Sequence, residues 1–431
     1  MKYDGLVIGA GLTGLAVAYH IKKRRPQDNI LVIDMKSAAG QGDTAKSGMM
    51  FRTFFHSKHN LLLADTSINF YEHVQRNLGF NLDMEYIGYL FLFSYKDEVK
   101  QKWIKETLNL MKQRGLKYKI YDGKELAEKI DINVEVEADA EAKIMRLKNI
   151  DFGVFIPKAG FVDANSLVNF YEHEFLRLGG KIQFNTKALG IRIAPRKKLG
   201  IPGEPYFWQE SRATGVYTSN MQIKARKTII AAGAWINELL DPVGINPLVK
   251  PWGTHVFVLK AKSSSLRKLL LTPGFNSQNS LPFTILPSGI YLNARPKENV
   301  FWTGCDDITF GRPFRFEEEP PIEKRFYEYG LYPVLSKYFP QFINVHPSSA
   351  WTGRLDVNTY DQQPVIFEKN DLIIVTGLTG NGLMKADAVG RITAALYMGK
   401  KHAELFGGER VEISDFGIEK RSVERETFAL I

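Results

Sequence analysis

One cysteine, Cys305, among 431 residues excludes an internal disulfide and suits a reducing compartment. No window holds eighteen uninterrupted apolar residues, which excludes an ordinary transmembrane helix. No signal-peptide pattern precedes the first apolar strand, which begins almost at Met1. The expectation is a cytoplasmic protein with at most peripheral membrane contact. The histidines are scattered, and no cluster of His, Cys and carboxylates has metal-ligand spacing, so no metal site is expected. Internal repeats and low-complexity linkers are missing too. Acidic residues are in short supply: 57 Lys and Arg face 47 Asp and Glu, a formal charge of +10. Such a balance favours anionic substrates or acidic surfaces. The densest basic knots, Lys22–Arg25 and Arg196–Lys198, are short, so a solvated basic surface is expected and no nucleic-acid partner. What remains is ordinary globular composition, 44% hydrophobic and 24% charged, in a chain long enough for two or three domains.

The first stretch that carries chemistry is "YDGLVIGAGLTGLAVAYHIKKRRPQDNILVID", residues 3–34. An apolar run enters Gly9-Ala10-Gly11-Leu12-Thr13-Gly14, a helical pattern follows, and a second apolar run ends in Asp34. This strand–turn–helix–strand order is that of a dinucleotide-binding unit. Gly9 permits the tight turn, Gly11 lets a pyrophosphate approach the backbone, and Gly14 lets the helix pack on the strand. The helix N-terminus offers free N–H groups to phosphate. Asp34 is spaced to accept from a ribose hydroxyl, which disfavours a 2′-phosphate. The unit alone does not separate NAD from FAD.

Two further glycine-bearing turns follow strand-like runs. Residues 227–240, "KTIIAAGAWINELL", pass from an apolar strand through Ala232 and Gly233 to Trp235. Residues 371–399 pass from a strand at Leu372–Thr376 through Gly377, Gly380 and Gly382 into a helix from about Leu383. Three such turns spread along the chain point to one extended ligand gripped at several places.

Together these segments resemble the D-amino-acid-oxidase/sarcosine-oxidase group of FAD enzymes. "GFVDANSLVNFYEHEFLRLGGKIQFNTKALGI" (160–191) is similar to that group's helix and strand beside adenine, and "WTGRLDVNTYDQQPVI" (351–366) to its W-x-G…T-x-D-x-x-P-x-I stretch. "GDTAKSGMMFRTFF" with "GNGLMK" also resembles the archaeal dye-linked L-proline dehydrogenases. The resemblance implies non-covalent FAD held by residues 9–14, Asp34, Met35, Lys36, Thr44, Lys46, Ser47, Gly48, Met49, Ala188, Ala232, Gly233, Trp235, Gly380, Gly382, Leu383 and Met384. It places the segment Gly40–Phe55 beside the flavin, where Met49, Met50, Phe51, Phe54 and Phe55 wall a flat ring. Arg52 is then the first candidate to anchor a substrate carboxylate, since an arginine does so bidentately. Lys385, Arg354 and Lys46 follow. Lys385 sits one position later than the family's lysine, and the stretch 351–361 carries one extra residue before Asp361. Cys305 lies in a strand-like run away from the flavin segments and no histidine occupies 35–50, so no covalent tether is expected. His255, in "THVFVL", is a lesser active-site candidate.

The expected fold is α/β: a Rossmann-like FAD-binding domain formed by residues 1–82, 150–248 and 345–431. An interleaved α+β substrate domain, 83–149 and 249–344, is built on a mixed, largely antiparallel sheet. Helices are expected near 97–115 and 321–338, a hairpin at Ser288-Gly289, and a solvated acidic loop at 315–324. The resemblance implies oxidation of the C–N bond of a small secondary amino acid, L-proline first, by hydride transfer to flavin N5. Electrons would pass to a dye or quinone, and a homodimer is compatible with this. Alternatives are an oxidase of sarcosine, glycine or D-amino acids, a 2-hydroxy-acid or glycerol-3-phosphate dehydrogenase, and a non-catalytic flavin-binding subunit.

Overall fold

A computed structural model describes residues 2–305 and 313–428. Positions 1, 306–312 and 429–431, at the edges or inside the segments assigned above, lie outside the described residues. The first of two large sheets runs in the order Val365–Lys369, Leu372–Thr376, Gln222–Ile230, Lys2–Ile8, Ile30–Ile33, Lys181–Gln183. Its pairs are parallel except the first. Ala188–Pro195 and Ser211–Thr218 form an antiparallel meander that joins Gln222–Ile230. Ile30–Ile33 and Leu372–Thr376 read as nearly unbroken apolar runs, buried along their whole length, because both sheet faces are covered there. The helix Leu12–Arg24 packs against Ala164–Arg177 and Ala386–Tyr397.

Register explains why turns far apart in sequence meet. Ile8 is level with Ile33 on one side and Ile230 on the other, and Ile230 is level with Ile374. The glycine turn after Ile8, the Ala231-Ala232 turn and the Gly377–Gly382 turn therefore leave the sheet at the same edge. Ligands of open α/β sheets bind at that edge, outside the carboxyl ends of the strands.

The second sheet runs Ser349–Asn358, Val249–Lys260, Val300–Cys305, Ile290–Arg295, Phe283–Ile285, Tyr89–Phe93, Phe152–Ile156, Lys119–Asp122. It is antiparallel except where Phe283–Ile285 runs beside Tyr89–Phe93. The hairpin at Ser288-Gly289 forms, with Gly289 at φ +82°. Two strands of this sheet, Phe152–Ile156 and Ser349–Asn358, come from segments assigned above to the cofactor-binding unit. Their chain crosses between the sheets inside each segment.

The helix expected near 97–115 spans Glu98–Gln113, capped by Asp97, whose carboxylate accepts from the Lys100 N–H. The one expected from 321 starts three residues late, at Lys324, and passes through a wide-turned stretch, Phe326–Leu331, into Tyr332–Tyr338. Tertiary hydrogen bonds take over the polar groups before it. The Pro320 carbonyl accepts from Thr352 Oγ1 at 2.6 Å, and the Glu323 N–H lies 3.2 Å from His255 Nε2. The acidic loop is thus not merely solvated: its side chains at Glu318 and Glu319 face outward while its backbone packs on the strand Ser349–Asn358.

Candidate functional site

A cavity of about 540 Å³ runs between the converged turns and the second sheet, a size ordinary for a cofactor and small-substrate site. Gly9, Gly11, Leu12 and Thr13 line one end. Gly9 has φ +108°, and a Cβ there would lie 2.4 Å from the Ala231 carbonyl oxygen, so only glycine fits. Gly14 does not line the cavity; a Cβ on it would lie 1.9 Å from the Gly9 carbonyl, which is the helix-to-strand contact. The helix Leu12–Arg24 has no acidic residue in its first turn and no side-chain cap from Gly11; Leu12 N–H instead donates to Thr44 Oγ1 at 3.3 Å. Asp34 is fixed by two backbone donors, Ala10 N–H at 2.7 Å and Lys36 N–H at 2.8 Å. Its oxygens keep lone pairs for a further donor, and it lines the cavity with Met35, Lys36 and Ala188. Ala10 itself is buried behind it, outside the lining.

At the other turns, Ala232, Gly233, Trp235, Gly380, Gly382, Leu383 and Met384 all line the cavity. Asp356, which reading the sequence missed, pins the last turn: its Oδ2 accepts from Gly377 N–H at 2.8 Å, Leu378 N–H at 3.2 Å and Thr376 Oγ1 at 3.1 Å. Burial pushes its carboxyl up to about 6 against these donors.

The segment Gly40–Phe55 crosses the cavity, and Thr44, Lys46, Ser47, Gly48, Met50 and Arg52 face it. Met49 does not. It sits at φ 59°, and its carbonyl accepts from Val162 N–H, so the turned backbone presents Met50 in its place.

The four candidate cations differ sharply. Arg52 lines the cavity but is only 2% exposed. Its two terminal nitrogens donate to the Phe54 and Phe428 carbonyls, and its guanidinium stands 4.3 Å over the Phe55 ring. Burial pushes its pKa down; Glu426 acts on it only through space, with no ion pair among the described residues. Arg354 also lines the cavity and is committed. Its Nε and backbone N–H both donate to Asp43 Oδ1 at 3.0 Å, Nη1 to the Glu318 carbonyl, and the guanidinium lies 3.9 Å over Trp235. Burial in turn raises the Asp43 carboxyl, partly offset by Arg354. Lys46 is half-buried on the wall and makes no ion pair among the described residues; burial and then Arg354 lower its pKa. Lys385 departs from expectation: it does not line the cavity. Its ammonium turns back to Asn60 Oδ1 at 2.6 Å beneath Phe55, and burial pushes it down to about 7.

The far wall comes from the second sheet: Tyr89, Thr254, Val256, Phe283, Tyr291, Asn293 and Trp302. The rings of Phe283 stack on Tyr89 at 4.4 Å and on Tyr291 at 5.1 Å. Period-two alternation would have paired Tyr291 with Asn293 and Thr254 with Val256, though not told which face looks at the cavity. The same alternation removes His255. It points to the opposite face, stacked on Phe257 and tilted against Phe326. None of the histidines, all within the described residues, lines the cavity.

Two buried polar atoms on the lining, Trp235 Nε1 and Asn293 Oδ1, have no hydrogen-bond partner among the described residues. A ligand filling the cavity would reach both, although other such atoms lie off the lining. With the glycine turn, the fixed Asp34 and the flat apolar walls, they fit an extended dinucleotide with a planar ring. Among the described residues no group of His, Cys, Asp and Glu is placed to hold a metal ion, and no helix is long and apolar enough to cross a membrane.

Comparison with known proteins agrees with this geometry. Residues 4–396 match the family described as FAD dependent oxidoreductase, DAO. The FAD-dependent oxidoreductase domain-containing protein 1 of Xenopus laevis is 25% identical, over 92% of this chain and 79% of its own. A probable sarcosine oxidase of Arabidopsis thaliana is 21% identical, over 97% and 92%. The crystal structure of L-proline dehydrogenase from P. horikoshii superposes with a TM-score of 0.71 at 21% identity, covering 93% of this chain and 94% of that one. The glycine turns, the two sheets and the family match converge: this chain belongs to the DAO family of FAD-dependent oxidoreductases, and FAD is its cofactor.

Proposed function

We propose that the protein oxidises the C–N bond of a small amino acid, with L-proline or a related secondary amine as the first substrate to test. The observation that carries this reading is Arg52. A buried guanidinium held by two neutral carbonyls, with no carboxylate in contact among the described residues, is a cation suited to an incoming anion, because an unpaired buried charge is costly. A substrate carboxylate reaching it would be bound by a charge-assisted contact in a site of low dielectric. The remainder of an amino acid would lie against Met50, Tyr89, Phe283 and Tyr291, which exclude water and hold the α-carbon. The stacked rings of Tyr89, Phe283 and Tyr291 form an aromatic wall that suits the saturated carbons of a pyrrolidine ring.

Gly9, Gly11, Leu12 and Thr13 would hold the pyrophosphate, Asp34 a ribose hydroxyl, and Ala188 the adenine side. Trp235 and the turn Gly380–Met384 would hold the ring system, without a covalent tether. When bound, FAD supplies the two-electron acceptor, and the protein's part is orientation and tuning. A neutral amine loses no proton to the protein in giving up its α-hydrogen, so the lack of a histidine on the lining does not obstruct amine oxidation. A 2-hydroxy acid calls for a base beside its hydroxyl, and that favours the amine. We further propose that electrons pass to a quinone or dye, the acceptor implied by the resemblance of "GDTAKSGMMFRTFF" and "GNGLMK", and that the chain divides into a cofactor-binding and a substrate unit, with Phe152–Ile156 and Ser349–Asn358 crossing to the second sheet. The test is anaerobic mixing of the holoenzyme with L-proline, sarcosine, glycine and L-2-hydroxy acids. Bleaching by an amine supports the reading; bleaching by a hydroxy acid alone refutes it.

A further inference from the structure

The strand Ala188–Pro195 lines the cavity at its first residues, and from its other end grows the loop 196–210, "RKKLGIPGEPYFWQE". No role in the cavity falls to this loop, yet it is built. Glu204 turns its carboxylate inward, accepting from Ile201 N–H at 2.7 Å and Leu199 N–H at 3.0 Å. Tyr206 hydroxyl donates to the Pro202 carbonyl, Tyr206 N–H to Gln209 Oε1 at 2.8 Å, and Arg196 N–H to the Glu210 carbonyl at 2.7 Å. This internal bonding holds the apolar side chains outward. Phe207 is fully exposed, Trp208 58%, Leu199 49%, Ile201 43% and Tyr206 37%, with Trp208 stacked parallel to Tyr206.

Water is a poor solvent for five such groups on one loop, and an ordered apolar tip of this kind marks an interaction site. The charge beside it selects the partner. Lys197 and Lys198 stand at its base beside Arg196, which pairs with Asp371 at 3.3 Å; of the loop's two acids, Glu204 is spent on backbone N–H groups and Glu210 closes the far end. A protruding tip of Trp, Phe, Tyr, Leu and Ile above a basic collar is the chemistry of a segment that enters the headgroup region of an anionic bilayer. We propose that loop 196–210 docks this protein on anionic phospholipid surfaces, with Phe207 and Trp208 inserted and Lys197 and Lys198 on the headgroups. Docking there would leave the cavity, at the opposite end of the strand, open to its substrate.

The experiment is co-sedimentation of the purified FAD-loaded protein with phosphatidylcholine vesicles, with and without phosphatidylglycerol, alongside Trp emission. The expected result is binding to the anionic vesicles, weakened by salt, with a blue shift that Trp208→Phe removes. Phe207→Ala with Trp208→Ala should weaken binding about ten-fold or more, and Lys197→Glu with Lys198→Glu at least about five-fold per residue. FAD content and melting temperature report whether each variant is folded; were the aromatic pair to misfold, the charge reversal and the Trp208 emission decide. Absence of binding to either vesicle overturns the proposal, as does unchanged binding by folded variants. So does a dimer that the aromatic substitutions dissolve, which would make the loop a contact between copies.

Discussion

At the scale of single residues, four cations were candidates and the fold separates them by what already holds them. Arg52→Ala should raise KM for the amino acid and lower kcat/KM about 100-fold or more, the loss expected when a doubly bonded charged anchor goes. FAD content should stay at the wild-type level, and Arg52→Lys should recover part of the loss. An equal fall in FAD content would make Arg52 a structural residue. Lys385 supplies a different test. Its ammonium is buried and its pKa falls to about 7, whereas in the unfolded chain it stays near the usual lysine value of about 10.4. Between those limits the unfolded chain holds a proton that the folded one has released. Stability attributable to this group therefore rises with pH through that window and is flat below it. Thermal unfolding of Lys385→Met across the same range should lack the rise; an identical slope would mean that Lys385 is not the group titrating. The sequence shows which residue types are present, but not what occupies them. Of the partners that commit these cations, Phe428 lies 376 residues from Arg52, Asn60 325 from Lys385 and Asp43 311 from Arg354, beyond any local pattern.

At the scale of elements, the glycine turns were the most legible part, because their demands are local. A positive φ at Gly9 and a 1.9 Å approach at Gly14 leave no choice of residue, and spacing records that directly. The strands of the second sheet were legible as strands but not as faces. Thr254 and Val256 turned out to face the cavity and His255 its opposite, a choice made by the partner strand Ser349–Asn358 rather than by the segment itself. Asp356 was missed because an aspartate in a strand carries no signal of its own until the turn it receives is folded over it. Asp356→Ala should free the Gly377 and Leu378 N–H groups, loosen that turn and weaken FAD retention about ten-fold or more; flavin released on dilution measures it. Asp356→Asn, which keeps an acceptor oxygen, should retain more flavin than the alanine variant. Equal retention by wild type and Asp356→Ala would show that the turn holds its shape unaided.

At the scale of the whole molecule, two sheets built from alternating stretches of one chain face each other across the cavity. Interleaving was readable from where the glycine turns and aromatic strands fall. The strands Phe152–Ile156 and Ser349–Asn358, which cross to the other sheet, were not, since a crossover changes neither composition nor periodicity. The tail is bound into this arrangement too. Glu426 accepts from the His56 N–H at 3.0 Å and the Ser57 N–H at 3.1 Å, and Arg421 pairs with Asp361, so the tail that supplies the Phe428 carbonyl to Arg52 is itself anchored at the start of the helix Lys58–Asn77. On the proposed reading these parts hold an amino acid against FAD by its carboxylate. The visible spectrum of the holoenzyme, recorded anaerobically before and after L-proline, tests it most directly. Bleaching of the flavin bands by L-proline or another small amino acid is the expected result, lost at the same concentration in Arg52→Ala. Flavin bands that persist through every amino acid tried, in a protein that has bound FAD, would contradict it.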